Sequence, residues 1–89
     1  MAYRIEVERR ARKALTRLPG RAQKQVLAAI DDLADTPRPP GRLPVRAAPK
    51  GTYRIRVGRY RVIYVVSDED EVVVVAKIAP RTESTYRGI

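Results

Sequence analysis

The feature that most constrains the fold is a pair of alternating runs, Tyr53 to Val57 and Tyr60 to Tyr64, separated only by Gly58 and Arg59. A two-residue connection forces a tight hairpin, and Gly at its first position suits a type II′ turn. The turn fixes the register: Val57 faces Tyr60, Arg56 faces Arg61, Ile55 faces Val62, Arg54 faces Ile63 and Tyr53 faces Tyr64. Opposed residues share a sheet face. One face therefore carries Tyr53, Ile55, Val57, Tyr60, Val62 and Tyr64, a surface that helices can cover. The other gathers Arg54, Arg56 and Arg61.

A third strand, Val72 to about Ala79, follows the acidic turn Ser67 to Glu71. This turn lacks the Gly and the ligand alternation of a calcium loop and reads as a solvated connection. Three consecutive strands joined by turns make an antiparallel meander. The third strand is apolar on both faces, so its one charge sets its orientation: Lys77 would be costly against helices. That places Val72, Val74, Ala76 and Ile78 inward and Lys77 among the arginines. Period two continued past Ala79 points Arg81 the same way, with Pro80 ending regular pairing. Tyr86 follows in the tail, an aromatic ring of the kind that stacks on a base.

Upstream, Tyr3, Ile5 and Val7 alternate with Arg4 and Glu6 as a short strand. From Glu8 the period becomes helical, with Ala11, Ala14, Leu15 and Leu18 on one side and Arg9, Arg10, Arg12, Lys13 and Arg17 on the other. Pro19-Gly20 stops this helix, and a second runs from about Arg21 to Ala34 with Ala22, Val26, Ala29, Ile30 and Leu33 as its apolar stripe. So tight a connection makes the helices antiparallel neighbours. Thr36 to Gly51 holds five of the seven prolines and reads as a long loop, either functional or a stiffened crossover. The expected architecture is α+β: an N-terminal strand, an antiparallel helical hairpin, then a three-strand antiparallel meander with the helices packed on one sheet face. The chain of 89 residues is expected to form a single domain over 1–89.

The 19 Lys and Arg outnumber the 10 Asp and Glu for a net charge of +9, and the excess is mostly arginine. Such a surface attracts a phosphate backbone or an acidic protein segment. With no Cys and no His, the chain has no thiol nucleophile, imidazole base, disulfide framework or zinc cluster; no metal and no cofactor are expected. No apolar run approaches the ~20 residues of a membrane span and no signal-peptide pattern opens the chain, so no membrane partner is expected and the cytoplasm is the expected address.

Arg56 opposite Arg61 is a like-charge pair that destabilises a sheet by a few tenths to about 1 kcal/mol. An anion seated between them explains the arrangement; splaying into water is the alternative. Arg54, Arg56, Arg61, Lys77 and Arg81 with a nearby tyrosine suit single-stranded RNA better than a DNA groove, since no helix here resembles a recognition helix. The five basic residues of the first helix form either a second phosphate-binding strip or an ordinary solvated face. Asp31, Asp32 and Asp35 sit unfavourably at a helix C-terminus and are expected to pair with arginines of the first helix or the loop.

The run Tyr53-Arg54-Ile55-Arg56-Val57-Gly58-Arg59-Tyr60-Arg61-Val62-Ile63-Tyr64, the valine strand after it and Pro80-Arg81-Thr82-Glu83-Ser84-Thr85-Tyr86 resemble the RelE/ParE superfamily of bacterial toxins. The resemblance covers nearly the whole chain and implies the same order of elements. For the RelE branch it implies a ribosome-dependent mRNA endonuclease that cuts the A-site codon by attack of the RNA 2′-OH on the adjacent phosphate, without metal. It assigns Arg54 and Arg56 to the two basic positions of their strand, Arg61 to phosphate binding, Arg81 to leaving-group or transition-state stabilisation and Tyr86 to base stacking. Lys77 and Arg59 are expected to contribute to RNA binding. RelE itself has lysines where this chain has Arg54 and Arg56, and Pro80 stands where many relatives have His. An arginine is a poor general base, which leaves Lys77, Glu83, Tyr86 or the ribosome as proton acceptor.

The alternatives are a ParE-like inhibitor of DNA gyrase and a non-catalytic RNA-binding module. The resemblance also implies a cognate antitoxin with an acidic, amphipathic segment laid over the basic surface, and binding to operator DNA only through the joint complex.

Overall fold

The computed structural model describes residues 2–81, so Glu83 and Tyr86 lie outside the described residues. Chain order is β1 (Arg4–Val7), α1 (Arg9–Thr16), α2 (Gly20–Asp32), β2 (Leu43–Pro44), β3 (Thr52–Val57), β4 (Tyr60–Ser67) and β5 (Val72–Pro80). The strands form one sheet in the order β1-β5-β4-β3-β2. β1 lies parallel to β5, pairing Arg4 with Val72 through Val7 with Val75. The β2–β3, β3–β4 and β4–β5 pairs are antiparallel. The α+β order, the meander and the packing of both helices on one sheet face follow the expectation.

The β3–β4 hairpin has the register its turn dictates, from Val57 opposite Tyr60 to Tyr53 opposite Tyr64, and adds Thr52 opposite Val65. Gly58 has φ 58°, while Arg59 keeps a negative φ. That is the type II′ combination, since type I′ needs positive φ at both positions.

β5 corrects the expected alternation. Tyr64 pairs with Val75 while Ile63 pairs with Lys77, so Ala76 is an extra residue, a β-bulge. The bulge resets the period: Val73, Val75 and Ile78 enter the core, whereas Val72 and Val74, expected inward, pair with Ser67 and Val65 on the opposite face. Lys77 does lie on the arginine face. β5 is apolar apart from Lys77 and is an interior strand, flanked by β1 and β4. Pro80 does not end the pairing: it stands opposite Tyr60, and the Arg81 N–H donates to the Arg59 carbonyl at 2.7 Å. Partners alternate along an antiparallel ladder, so the N–H that proline lacks would have pointed away from β4.

The core joins Ala11 and Leu15 of α1, Val26 and Ile30 of α2 and Leu33 to Ile55, Val62, Tyr64, Val66, Val73, Val75 and Ile78 of the sheet. Each fully buried Val, Leu or Ile contributes roughly 1.5–3 kcal/mol relative to exposure. Helix α1 is short. The N–H groups of Arg17 and Leu18 turn back to Ala14 and Leu15, and Pro19, extended at ψ 149°, caps α2. The Gln23 amide donates to the Leu15 carbonyl at 3.2 Å and ties the two helices together.

The proline-rich stretch contains one short strand, β2, at the sheet edge. Val45 N–H donates to Thr52 O at 3.0 Å, so the neighbouring Pro44 has its nitrogen on the outer side and breaks no ladder bond. The same stretch docks on the helix side of the sheet. Tyr64 donates its hydroxyl to the Pro37 carbonyl at 3.0 Å, and Arg38 and Arg42 place their guanidinium carbons 5.8 and 5.6 Å from the Tyr53 ring centre. Arg38 also forks onto Asp68 at 2.8 and 3.1 Å, while the Tyr3 hydroxyl donates to the same carboxylate at 2.6 Å. The acidic turn is thus a tie between β1 and the loop, more than a solvated connection. The expected pairing of Asp31, Asp32 and Asp35 is not found: the ion pairs among the described residues are Arg4 with Glu6 and Arg38 with Asp68.

Candidate functional site: an arginine-lined groove

Register alone places Arg54, Arg56, Arg61 and Lys77 on the sheet face that the helices leave uncovered. Arg56 is opposite Arg61, Arg61 opposite Ala79, Arg54 opposite Ile63, and Ile63 opposite Lys77. The Ala76 bulge makes this possible. Strict alternation from the inward Val73 and Val75 would turn Lys77 into the core. Bulges beside functional sites commonly re-aim a side chain in this way. Ile63 and Ala79, between the basic residues, are buried at 2 % exposure each, so the cations stand over an apolar floor.

At the end of the hairpin, Arg59, Tyr60, Arg61, Pro80 and Arg81 line an open groove of about 710 Å³. One wall comes from the β3–β4 turn and the other from the exit of β5, held together by the bond from Arg81 N–H to Arg59 O. Arg59 and Arg81 are exposed and Arg61 is half-buried. Each guanidinium is a planar fork of donors that matches two phosphate oxygens at once, so three around one open groove suit a phosphodiester.

The other expected residues distribute differently. Arg54 borders a second cleft of about 310 Å³ with Pro44, Val45, Arg46 and Ala47. Arg56 borders a third of about 210 Å³, with Pro39, Pro40 and residues of α2. Lys77 shares the face but lines none of these three. Arg46 and Tyr60 were missed as lining residues. Arg46 is one more cation in a proline-rich loop, and nothing in its local pattern marks it. Tyr60 had been read only as a core side chain.

Among the described residues, perturbed ionisations gather where the proline-rich stretch docks on the sheet. Hydrogen bonds from Arg38, then from Tyr3, hold the Asp68 carboxyl below its ordinary range. The bond to Asp68 in turn raises the Tyr3 phenol and the Arg38 guanidinium. Burial pushes the Tyr64 phenol up to about 12. These groups hold the loop against the sheet and belong to the scaffold. Among the described residues, no three acidic side chains converge as metal ligands would.

Comparison with known proteins agrees with this geometry. Residues 5–84 match the family model described as the ParE toxin of the type II toxin-antitoxin system, parDE. The chain is 32% identical over 91 residues to the putative toxin RelE1 of Methanocaldococcus jannaschii, covering 99% of each. It is 34% identical over 87 residues to the toxin RelG of Mycobacterium tuberculosis, covering 93% of this chain and 95% of that protein. Among solved structures, a chain of the archaeal RelE-RelB complex from Pyrococcus horikoshii superposes with a TM-score of 0.78 at 32% identity, covering 94% of this chain and all of that one. The isolated E. coli RelE toxin superposes at 0.79 with 26% identity, covering 93% and 88%. On the family match over residues 5–84, the named relatives and the shared fold, the chain belongs to the RelE branch of the RelE/ParE superfamily of type II toxin-antitoxin toxins.

Proposed function

We propose that this toxin is a ribosome-dependent endoribonuclease that cuts mRNA in the ribosomal A site. The observation that carries the reading is the convergence of Arg59, Arg61 and Arg81 on one open groove. In the reaction the 2′-oxygen attacks the adjacent phosphorus and the bond to the 5′-oxygen breaks, leaving a 2′,3′-cyclic phosphate and a 5′-hydroxyl. The 2′-OH proton goes to an acceptor and the departing 5′-oxygen takes one up. Arg61 holds the phosphate, Arg81 stabilises charge on the leaving oxygen, and Arg54, Arg56, Lys77 and Arg59 guide the strand. Tyr86 is the proposed base-stacking residue. Preorganised cations aimed at developing charge supply a large share of such rate enhancements.

The working partners in this reading are the translating ribosome and its mRNA in the cytoplasm, together with a cognate antitoxin. Support for the antitoxin comes from the relatives solved as RelE-RelB complexes. An acidic segment of that partner over the arginine face would neutralise it, and operator DNA would be bound through the joint complex. The matching family model, described by its ParE members, favours a second reading, inhibition of DNA gyrase without RNA cleavage.

The test adds purified protein to cell-free translation of a defined mRNA and maps new RNA 5′ ends, with an Arg81→Ala variant and a ribosome-free control. Cuts inside the reading frame that need ribosomes and vanish in the variant support the endonuclease. Intact mRNA with normal translation, combined with blocked supercoiling of relaxed plasmid by gyrase, supports the second reading.

A further inference from the structure

Helix α1 turns Ala11 and Leu15 into the core and leaves Arg9, Arg10, Lys13 and Arg17 outside. With Ala14 these four line an open groove of about 720 Å³. All four are exposed, and none joins an ion pair among the described residues. The arrangement works against the helix. Arg9 and Arg10 occupy its positive end, its first turn holds no acid, and Glu8 makes no side-chain capping bond. Arg9 with Lys13 and Lys13 with Arg17 are like-charge pairs four residues apart, which destabilise a helix. Charge repulsion concentrated on a helix of 8 residues is relieved when an anion with matching spacing lies along it.

Arg9, Lys13 and Arg17 form a single row in which each step advances about 6 Å along the axis, close to the separation of neighbouring phosphates on one nucleic-acid strand. Among the described residues the only apolar side chain lining the groove is Ala14, so an amphipathic acidic peptide would find no socket there for its apolar residues. A phosphate backbone needs none. The row lies on the outer face of α1 and the arginine-lined groove at the end of the β3–β4 hairpin, so the two surfaces serve separate segments of nucleic acid.

We propose that the outer face of α1 is a second RNA site, which grips a phosphate backbone without regard to sequence. The choice of RNA over DNA rests on the ribonuclease reading; the phosphate-binding row does not. Arg9→Gln, Lys13→Gln and Arg17→Gln combined in the full chain give the test, read by fluorescence anisotropy with a blunt RNA duplex, a DNA duplex of the same sequence, a single-stranded RNA and poly-glutamate. The triple variant is expected to bind the RNA duplex at least tenfold more weakly at low salt. Its slope of log Kd against log salt should fall by about two to three, the phosphate contacts removed. Its melting temperature should stay level or rise, which separates lost binding from lost folding. Unchanged duplex affinity overturns the proposal, as does tighter binding of the DNA duplex. Poly-glutamate bound through this row in preference to the RNA duplex overturns it in favour of a protein partner. Because binding is measured without ribosomes, a failed cleavage assay leaves the result intact.

Discussion

Arg56 and Arg61 stand directly opposite each other across the β3–β4 ladder, a juxtaposition that an exposed sheet face would ordinarily avoid. Replacing Arg56 by Thr removes the repulsion and adds a β-branched residue. Chemical denaturation should show a gain of a few tenths to about 1 kcal/mol, and the ribosome-dependent cleavage assay should show a loss. A variant that is less stable than the parent would mean that the pair is not repulsive as it stands.

Arg61 and Arg81 line one groove, and each is assigned charge that develops on the reacting phosphate. Substituting either by Ala is expected to lower cleavage by about 10²–10³-fold with the circular dichroism spectrum unchanged. Removing both should cost less than the product of the single losses if they act as a unit. Full activity in both single variants would remove the groove from the mechanism.

Gly51 precedes β3 with φ 91°, and a Cβ placed there would come within 3.0 Å of the Val66 carbonyl oxygen. Backbone at this φ, with a backbone atom as the obstruction, leaves no flexible side chain to move aside. Gly51→Ala should lower stability by about 1–3 kcal/mol, measured by urea unfolding. The neighbouring change Lys50→Ala, at an exposed position, serves as the neutral control.

Asp68 accepts bonds from Arg38 and Tyr3, and its native pKa lies below the ordinary value. The unfolded carboxylate binds protons first as pH falls, so its contribution is present above about pH 4 and is lost as pH drops through the lower native value. Asp68→Asn should therefore melt below the parent at neutral pH, with the gap closing in acid. Paired melting curves across that range provide the check.

Tyr64 shows the opposite sign. Its native phenol titrates at about 12 against an ordinary 10.0, so between those values the unfolded chain sheds a proton that the native chain keeps. Stability must fall as pH rises through that window. Tyr64→Phe should lose about 1 kcal/mol at neutral pH with its bond to Pro37, but show a shallower alkaline decline. Thermal melts of both proteins from about pH 9 upward would reveal the difference.

Local chemistry explains which parts of this structure were legible in the amino-acid sequence. Gly58-Arg59 leaves one hairpin register available, so the faces of β3 and β4 could be read residue by residue. β5 could not be read this way: five apolar residues, Val72 to Ala76, precede Lys77, and a run apolar on both faces conceals a bulge at Ala76. Lys77 was placed correctly by the cost of burying its charge, but the same argument carried back by strict alternation put Val72 and Val74 on the wrong side. The tie from Tyr3 through Asp68 to Arg38 joins residues 65 and 30 positions apart, beyond the reach of any local pattern. The same holds for Arg46 beside Arg54. Tyr86 lies outside the described residues, so its proposed stacking role rests on the resemblance alone.

The parallel pairing of β1 with β5 also bears on when the protein becomes competent. Arg4 finds Val72 only after nearly everything between them has been synthesised, and translation delivers the N-terminal strand seconds before its partner. Until then β1 has no neighbour, and β4 lacks the strand that leads to Arg81. A nascent chain therefore holds an incomplete groove until β5 and Arg81 have been made.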